Sequence, residues 1–383
     1  MFDTAPAQAL GFASRMGNLL KLRDRLLISR RFQEWAAAFP LTRPIARRRA
    51  RALFDICAGF VYSQVLSACV RLGVFEALAQ GPLSSQQVAQ RAGLTVDATE
   101  RLLNSAISLK LVSRRGADGY GLGELGAAVL ANPGVVAMVE HHAILYRDLA
   151  DPVALLRGEA RATGLGDYWS YASSDQPAEL QDAQVAEYTR LMAASQSMIA
   201  NEILAGYPLG KHRSLMDVAG GDGSFLVAAA ARAPQLELCL FDLPPVAALA
   251  EQRFAGQGLQ QRARAVGGDL YRDALPGGAD VISLVRVIHD HDDAAVEGIL
   301  RSVKQALPKG GVVILAEPMS ESRGPEAISD AYFGFYLLAM GQGRLRTPAA
   351  LARMLRDAGF EGVKRWKTRM PMLVSVLTAR VPG

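Results

Sequence analysis

The feature that most constrains the fold is a strand-like run, a glycine-rich turn and a helical run, which follow one another between residues 214 and 232. The run that begins at Ser214 is short and apolar, and it ends just before the turn Gly220-Gly-Asp-Gly223. Residues 224–232 then have helical composition. A strand, a glycine turn and a helix in this order form the first unit of a doubly wound sheet. The sequence therefore predicts an α/β domain that begins near residue 214.

Three further apolar runs, residues 237–242, 265–269 and 280–286, stand where later parallel strands would end. Open α/β sheets bind their ligands at the carboxyl ends of the strands, so we expect the polar residues that close these strands to converge on one crevice. These residues are Asp217, Asp242, Asp269 and His289. The pattern predicts a small-molecule site, although each acid alone is also an ordinary helix cap or turn former.

The turn after the first strand bears on the identity of the cofactor. A nicotinamide-binding fold carries the pattern G-x-G-x-x-G, but Leu226 stands at the third glycine position. Asp217 precedes the turn, where its carboxylate would repel a diphosphate and attract a cation. S-adenosylmethionine (SAM) carries a sulfonium and an ammonium group and no phosphate. In this interpretation Asp242 accepts hydrogen bonds from the ribose hydroxyls and Asp269 from the adenine amino group, so the sequence favours SAM.

Four motifs occur around these positions, in this order: Asp217-Val-Ala-Gly-Gly-Asp-Gly223, Phe241-Asp-Leu-Pro244, Gly268-Asp-Leu270 and His289-Asp-His-Asp-Asp293. The set resembles the class I O-methyltransferases of the caffeate and hydroxyindole type, over about residues 54–379. The resemblance implies a Rossmann-like methyltransferase sheet, an N-terminal helical dimerisation domain, a homodimer and SAM as cofactor. The cofactor-binding residues that the motifs and the resemblance indicate are Asp217, Gly220, Gly221, Gly223, Asp242, Leu243, Gly268, Asp269, Leu270, Arg286 and His291.

The resemblance also implies the catalytic residues. His289 matches the family's general base, and Glu317 matches an acid that hydrogen-bonds this base. Two positions depart from the family pattern, since His291 replaces a tryptophan and Leu345 stands where the family has a second acid. No metal is expected at His289 and His291, because residues i and i+2 of a helix do not share a face. A structural alternative, in which His289 caps the following helix, stays open.

The N-terminal part of the chain is organised differently from the rest. We expect a basic amphipathic arm over residues 1–51, a winged-helix-like dimerisation domain over 52–131, a helical linker and substrate lid over 132–213, and the SAM-binding methyltransferase domain over 214–383. The helix, turn, helix and hairpin order after residue 84 is typical of a winged helix. Its second helix, residues 97–111, has no basic face, so DNA binding is disfavoured.

Charge and composition bear on where the protein acts. Residues 1–51 carry 11 Lys and Arg against 3 Asp and Glu, beside leucine and aromatic side chains. This segment is expected either to bind an anionic membrane surface or to pack on a dimer partner. No signal peptide and no apolar run of membrane-spanning length is expected, and the three cysteines lie in apolar runs. These features favour a reducing, cytoplasmic location, with peripheral binding at the inner or photosynthetic membrane as the further hypothesis.

The acceptor pocket is expected to be largely apolar. Its candidate residues, half of which we expect to be ordinary core, are Trp169, Met192, Ser195, Met319, Phe333, Tyr336, Leu337 and Met340. The segments 31–45 and 54–64 are similar to the carotenoid O-methyltransferases of purple phototrophic bacteria. This similarity implies carotenoid biosynthesis, with methylation of the tertiary C1 hydroxyl of an acyclic hydroxycarotenoid of the demethylspheroidene or hydroxyneurosporene type. The alternatives are a phenolic or polyketide acceptor, a winged-helix regulator with a vestigial cofactor fold, and a nicotinamide dehydrogenase.

Overall fold

The computed structural model places most of the chain in two compact units. It describes residues 18–160, 162–168, 196, 198–320 and 328–383. The first unit comprises the chain up to residue 74 together with residues 82–121, and the second comprises residues 75–81 and 122–383.

The first unit consists of helices and a small antiparallel sheet. Its helices are α1 (residues 18–28), α2 (Arg30–Ala38), α3 (Arg43–Arg71), α5 (Ser85–Ala92) and α6 (Val96–Ser108), and α4 (Val74–Ala79) belongs mostly to the second unit. Its strands, in the spatial order β1-β3-β2, are β1 (Leu83–Ser84), β2 (Val112–Arg115) and β3 (Gly119–Leu122).

The winged-helix order predicted after residue 84 is confirmed. The Ser84 hydroxyl accepts a hydrogen bond from the Gln87 N–H while the Gln87 side chain accepts from the Ser84 N–H, so a capping box starts α5. Thr95 caps α6 through the Ala98 N–H. Two boundaries differ from the prediction. Helix α6 ends three residues before Leu111. The pair Asp118-Gly119 predicts the hairpin turn at these two residues, but the turn is residues 116–118 and Gly119 begins β3.

The second unit begins with helices and continues as an alternating α/β chain. Its helices after α4 are α7 (Glu124–Leu130), α8 (Pro133–Asp148), α9 (Pro152–Leu156), α10 (Gly164–Tyr168), α11 (residues 198–206), α12 (Ser224–Arg232), α13 (Pro244–Gly256), α14 (Asp293–Ala306), α15 (Ile328–Met340) and α16 (Pro348–Asp357). Its strands are β4 (Ser214–Val218), β5 (Glu237–Asp242), β6 (Ala263–Gly267), β7 (Val281–Val285), β8 (Val312–Glu317), β9 (Glu361–Trp366) and β10 (Ser375–Arg380).

These seven strands form one sheet in the order β6-β5-β4-β7-β8-β10-β9. Strands β4 to β8 are parallel, and β10 runs antiparallel to β8 and to β9. All residues of β7 and β8 are buried, because hydrophobic clusters cover both faces of the sheet. The strand order reverses between β4 and β7, which is where a doubly wound sheet opens a ligand crevice. The predicted doubly wound fold is confirmed.

Helix α3 carries an exposed apolar face. The exposed side chains on it are Ile45, Leu53, Phe54, Ile56, Phe60 and Val61. By length and composition α3 is able to cross a membrane, and α7 and α8, bent by 92°, pass the same test together. Helix α3 passes this test because Asp55 and Arg71 are the charged residues in the 18 residues from 54 to 71. The core helix of a soluble protein passes the same test, so the finding by itself does not show a membrane span.

Candidate active site

The turn after β4 places a buried carboxylate under the glycine backbone. Asp217 has no exposed surface, and its Oδ1 accepts a 2.6 Å hydrogen bond from the Ser283 hydroxyl. The space where a side chain at Gly220 would begin is filled by Asp217 Oδ2, so glycine is required there. Within the described part of the chain, Oδ2 has no hydrogen-bond partner. Burial raises the pKa of Asp217 to about 7.

The carboxylate at the end of β5 organises the same turn. Asp242 Oδ2 accepts from the Gly221 N–H at 2.8 Å and Oδ1 accepts from the Leu243 N–H at 2.7 Å. Burial raises the pKa of Asp242 to about 6, against the effect of these two N–H donors. Each carboxylate oxygen has a second lone pair, so Asp242 still has acceptor capacity for a ligand.

A pocket opens beside these groups at the carboxyl ends of β4, β5 and β6. Its lining residues are Ala219, Phe241, Asp242, Leu243, Gly268, Asp269, Leu270, Tyr271 and His291. The structure therefore brings six of the predicted cofactor residues to one cavity wall: Asp242, Leu243, Gly268, Asp269, Leu270 and His291. Asp217, Gly220 and Gly221 lie at the adjoining turn.

Two predicted cofactor residues lie elsewhere. Gly223 precedes α12 and lies against the ring of Phe254. Arg286 follows β7, and its N–H donates to the Ala316 carbonyl at 2.8 Å. Its φ of 59° and the φ of 53° at Ala219 place two non-glycine residues in left-handed backbone beside the crevice. Such backbone is costly and persists where the surrounding structure holds it in place.

His291 is paired with a tyrosine that sequence reasoning missed. The Tyr271 hydroxyl lies 2.7 Å from His291 Nδ1, and the two rings meet edge to face with centroids 5.6 Å apart. Burial lowers the pKa of His291 to about 4, so its ring is neutral at physiological pH. The Tyr271 hydroxyl and Nδ1 are hydrogen-bonded to each other, and the pair forms one wall of the pocket. Tyr271 stands two residues after Asp269 in the chain, and this position was the signal that could have identified it as a pocket residue.

The second part of the site is a buried histidine with a carboxylate on each side. His289 lies in a 3₁₀ turn, Ile288–Asp290, and its Nδ1 contacts Glu317 Oε2. Its Nε2 lies 3.2 Å from Asp290 Oδ1. Burial lowers the pKa of His289, but the charges of Asp290 and Glu317 outweigh it, and the pKa is raised above its ordinary value. Sequence reasoning found Glu317 and missed Asp290, which is adjacent to the histidine in the chain.

Glu317 is held in turn by the backbone. Its Oε1 accepts from the Val287 N–H at 2.9 Å and from the Ile288 N–H at 2.8 Å. With 1% of its surface exposed, Glu317 is fixed at both oxygens. A carboxylate so placed keeps the proton of a neutral His289 on Nδ1 and leaves the Nε2 lone pair free to accept a proton.

Helix α15 places aromatic rings next to this histidine. The Phe333 ring meets the His289 ring edge to face at 6.3 Å. Tyr336 lies 2.8 Å from His141 Nε2, and Tyr332 lies 2.7 Å from His142 Nε2. Aromatic rings therefore lie beside His289, and the hydroxyls of Tyr336 and Tyr332 are each hydrogen-bonded to a histidine.

The other predicted acceptor residues are distributed between core and undescribed chain. Leu337 and Met340 pack in a cluster with Leu145, Leu155 and Leu165, and Leu345 packs against the same cluster. Met319 is buried in the core on one face of the sheet. Trp169, Met192 and Ser195 lie outside the described residues.

Two sequence models match the chain. The model of the O-methyltransferase domain matches residues 146–361, which is more than half of the chain. The model of the O-methyltransferase dimerisation domain matches residues 54–132, which supports a homodimer.

Whole-length relatives agree with these matches. Demethylspheroidene O-methyltransferase of Cereibacter sphaeroides is 46% identical over 366 residues, which cover 95% of this chain and 96% of that protein. The protein of the same name from Rhodobacter capsulatus is 42% identical over 357 residues, covering 93% and 88%. Among solved structures, human N-acetylserotonin methyltransferase in complex with SAM has a TM-score of 0.73 at 26% identity, covering 88% of this chain and 98% of that one. The domain match and the identity over nearly the whole length show that this chain belongs to the O-methyltransferase family.

Proposed function

We propose that this protein is a SAM-dependent O-methyltransferase that methylates the tertiary C1 hydroxyl of an acyclic hydroxycarotenoid. The observation that carries the reaction type is the buried His289, held by Glu317 next to a pocket lined with carboxylates. The observation that favours the acceptor is the 46% identity to a demethylspheroidene O-methyltransferase over nearly the whole length of both chains.

The cofactor fits the acid-lined pocket. When bound, SAM supplies a methyl group on a cationic sulfonium. Asp217 is buried with an oxygen for which the described chain provides no partner, and such a group is costly unless a ligand satisfies it. We assign Asp217 to the cationic end of the cofactor, Asp242 to the ribose hydroxyls and Asp269 to the adenine amino group. Tyr271 and His291 form the wall against which the adenine lies.

His289 acts as the general base in this proposal. Glu317 would hold the proton on Nδ1, and Nε2 would take the hydroxyl proton that the acceptor loses when its oxygen receives the methyl group and the carbon–sulfur bond of the sulfonium breaks. A tertiary alcohol is far less acidic than imidazolium, so Nε2 takes this proton late in the transfer. Asp290 and Glu317 stabilise the imidazolium that forms, since each carboxylate lies beside one ring nitrogen.

An acyclic carotenoid requires an apolar path to the base. Phe333 faces His289 directly, and Leu345 makes the wall apolar where the family pattern has a second acid. The phenolic alternative would gain from a second acid at this position, so Leu345 favours the lipophilic alcohol. We keep Met319, Tyr336, Leu337 and Met340 as acceptor-side residues of the proposal.

Incubation with labelled SAM and a panel of acceptors tests this function. The panel contains acyclic 1-hydroxycarotenoids in detergent, their dehydrated analogues without the hydroxyl, and simple phenols. Label should enter the 1-hydroxycarotenoids, and His289→Ala should lose about 10²–10⁴ of this turnover while still binding SAM. Label that enters only the phenols would assign the protein to a phenolic acceptor.

The assembly and the domain division belong to the same proposal. We assign residues 1–51 to a basic arm, 52–131 to the dimerisation domain, 132–213 to a linker and lid, and 214–383 to the SAM-binding domain. The exposed apolar face of α3 from Phe54 to Val61 falls inside the dimerisation match, so a second copy of the chain is its proposed partner.

The basic arm ahead of this face is proposed to bind an anionic membrane surface. Its exposed apolar side chains are Leu19, Leu20, Leu22, Leu26, Ile28, Trp35, Phe39, Leu41 and Ile45. They alternate with basic residues, and each basic residue near an anionic surface contributes about 1 kcal/mol that salt screens. The location that follows is the cytoplasmic face of the membrane that holds the carotenoids.

Sedimentation with anionic vesicles tests the membrane proposal. Replacing Arg47, Arg48 and Arg49 by glutamine should release the protein from the vesicles at low salt. The matched control replaces three exposed arginines of the second unit, Arg301, Arg353 and Arg356. Equal loss of binding in both triple variants would show nonspecific charge attraction and contradict a dedicated arm.

A further inference from the structure

The loop that carries His289 and His291 is held by a buried arginine that the proposed reaction does not use. Arg346 is 6% exposed. Its Nη1 donates to the Ile288 carbonyl at 2.8 Å and its Nη2 donates to the His291 carbonyl at 2.7 Å. Its Nε donates to Asp293 Oδ1 at 2.8 Å. One guanidinium thus spans the backbone on both sides of His289.

The chain around Arg346 follows the same loop. The Arg344 N–H donates to the His289 carbonyl at 2.8 Å, between the two carbonyls that Arg346 holds. Gly343 has φ of 84°, and a side chain there would occupy the position of the His289 carbonyl oxygen. Within the segment from Gly343 to Arg346, the Arg344 N–H therefore holds the carbonyl of residue 289 and the Arg346 side chain holds those of residues 288 and 291.

These contacts explain why a guanidinium is needed. The Ile288 carbonyl accepts a long, 3.4 Å hydrogen bond from the His291 N–H within the 3₁₀ turn, and the His291 carbonyl follows in extended backbone, in a region where water has little access. A planar guanidinium presents several N–H donors in a fixed fork, whereas a lysine ammonium is a single point on a flexible stem. The guanidinium of an arginine can donate to the Ile288 and His291 carbonyls at the same time, whereas the ammonium of a lysine cannot span both.

We infer that Arg346 is a positioning residue that fixes His289 and His291 together, so that the base and the pocket wall keep one relative position. This inference rests on the proposed function for the meaning of the two histidines. The backbone on which both side chains stand is bonded to the same rigid group. Displacing that group moves the base relative to the wall that His291 forms.

The ion pair with Asp293 does not explain the burial of Arg346. Asp293 is 56% exposed, and Arg344 Nη1 also lies 3.6 Å from it while remaining 62% exposed itself. The Arg344–Asp293 pair is exposed on both sides and contributes little, and the pair of Arg346 with Asp293 is open to solvent on its carboxylate side. Arg344→Met and Asp293→Asn are therefore matched controls, because they remove the ion pairs and leave the carbonyl contacts of Arg346 in place.

Kinetics on the full-length protein provide the first test. Arg346→Met should lower kcat about 10²-fold at saturating SAM and acceptor, since a displacement of about 1 Å has an effect of that size. It should also weaken SAM binding about three- to tenfold through the loss of support for His291. Arg346→Lys should fall between Arg346→Met and wild type, and both control variants should stay within about threefold of wild type. Loss of activity in the controls equal to that in Arg346→Met would overturn the inference.

Spectra of ¹⁵N-histidine-labelled protein distinguish positioning from general destabilisation, without reference to turnover. The chain has five histidines. In Arg346→Met the imidazole signals of His289 and His291 should shift or broaden, while those of His141, His142 and His212 stay in place. Arg346→Lys provides the same measurement if the methionine variant does not fold. Movement of all five signals, or of none, would overturn the inference. If the two signals move but the wild type transfers no methyl group, the proposed function fails and the positioning role stands.

Discussion

Glu317→Gln separates charge from shape at the proposed base. Glu317 Oε1 accepts from the N–H groups of Val287 and Ile288, and Oε2 contacts His289 Nδ1. Glutamine has the same shape but only one acceptor oxygen. In one orientation this oxygen accepts from the N–H groups of Val287 and Ile288, and the amide nitrogen faces His289. In the other orientation the oxygen faces His289 and the amide nitrogen faces the two N–H groups.

The two orientations differ enough in energy to fix the outcome. Turning the amide nitrogen toward the backbone leaves two buried N–H donors unsatisfied, at about 1–3 kcal/mol each. The amide oxygen therefore stays on the backbone and the amide nitrogen faces Nδ1. The imidazole then carries its proton on Nε2, where the base needs a lone pair. At 1.36 kcal/mol per factor of ten, a preference of about 2–6 kcal/mol lowers the productive tautomer, and kcat with it, about 30-fold to 10⁴-fold.

Transfer of labelled methyl groups at saturating SAM and acceptor measures kcat, and calorimetry should find SAM affinity little changed. Glu202→Gln is the matched control. Glu202 is 8% exposed and accepts from two consecutive N–H groups, those of Arg369 and Met370, and no histidine is among its hydrogen-bond partners in the described chain. It should keep its activity. A Glu317→Gln enzyme within threefold of wild type, or an equal loss in Glu202→Gln, would refute the tautomer argument.

Three further predictions concern pH and assembly. The kcat should rise with pH through a midpoint above about 6.5: although burial lowers the pKa of His289, its two carboxylate neighbours raise it further, and only the neutral ring accepts a proton. A pH series of kcat measures this, and a midpoint below the ordinary value would contradict it. Burial raises the pKa values of Asp217 and Asp242 to about 7 and about 6, and a bound cation favours their ionised forms. The affinity for SAM should therefore fall as pH falls from about 8 to about 5.5, and binding of SAM should release protons into solution. Calorimetry in buffers of different ionisation enthalpy counts these protons, and a count of zero near pH 6.5 would remove the assignment. Phe60→Asp should give monomers in light scattering because Phe60 is 72% exposed on α3, whereas Leu156→Asp, at an exposed site of the second unit, should stay dimeric; two dimers would place the interface elsewhere.

The sequence predicted the sheet and its polar edge well, for a physical reason. Parallel strands are buried on both faces, so they read as continuous apolar runs that stop where the chain reaches the ligand edge. Caps are equally local: the pair Thr347-Pro348 predicts an N-cap followed by proline at the first helical position, and Thr347 does cap α16 through the Ala350 N–H, with Pro348 in its first turn. The aromatic and apolar residues from 328 to 340 also predict a helix, and α15 has these bounds, Ile328–Met340.

The boundaries and partners that the sequence did not predict depend on weaker or non-local signals. Apolar residues recur at helical spacing from residue 52 onward, but helix α3 begins nine residues earlier, at Arg43, because arginine and alanine extend a helix without any apolar periodicity. The pairing of Tyr271 with His291 joins two loops that are 20 residues apart. Arg346 reaches Ile288 across 58 residues. Such contacts follow from the way loops close over a sheet edge, which no local pattern encodes.

The arrangement of the acids favours a cationic ligand at the proposed site. Asp217 is fully buried, and among the described residues its Oδ2 has no hydrogen-bond partner, so its ionised form is costly in the empty protein. With a pKa of about 7, against about 3.9 in an unfolded chain, it makes folding less favourable as pH rises between these values. Replacing it by an apolar residue would remove this cost. A ligand with a positive charge at Oδ2 reverses it, because the ligand satisfies the oxygen and favours the ionised form. The free-energy cost of burying the Asp217 carboxylate is therefore offset when a cationic ligand binds. An anionic or neutral nucleotide would not offset it.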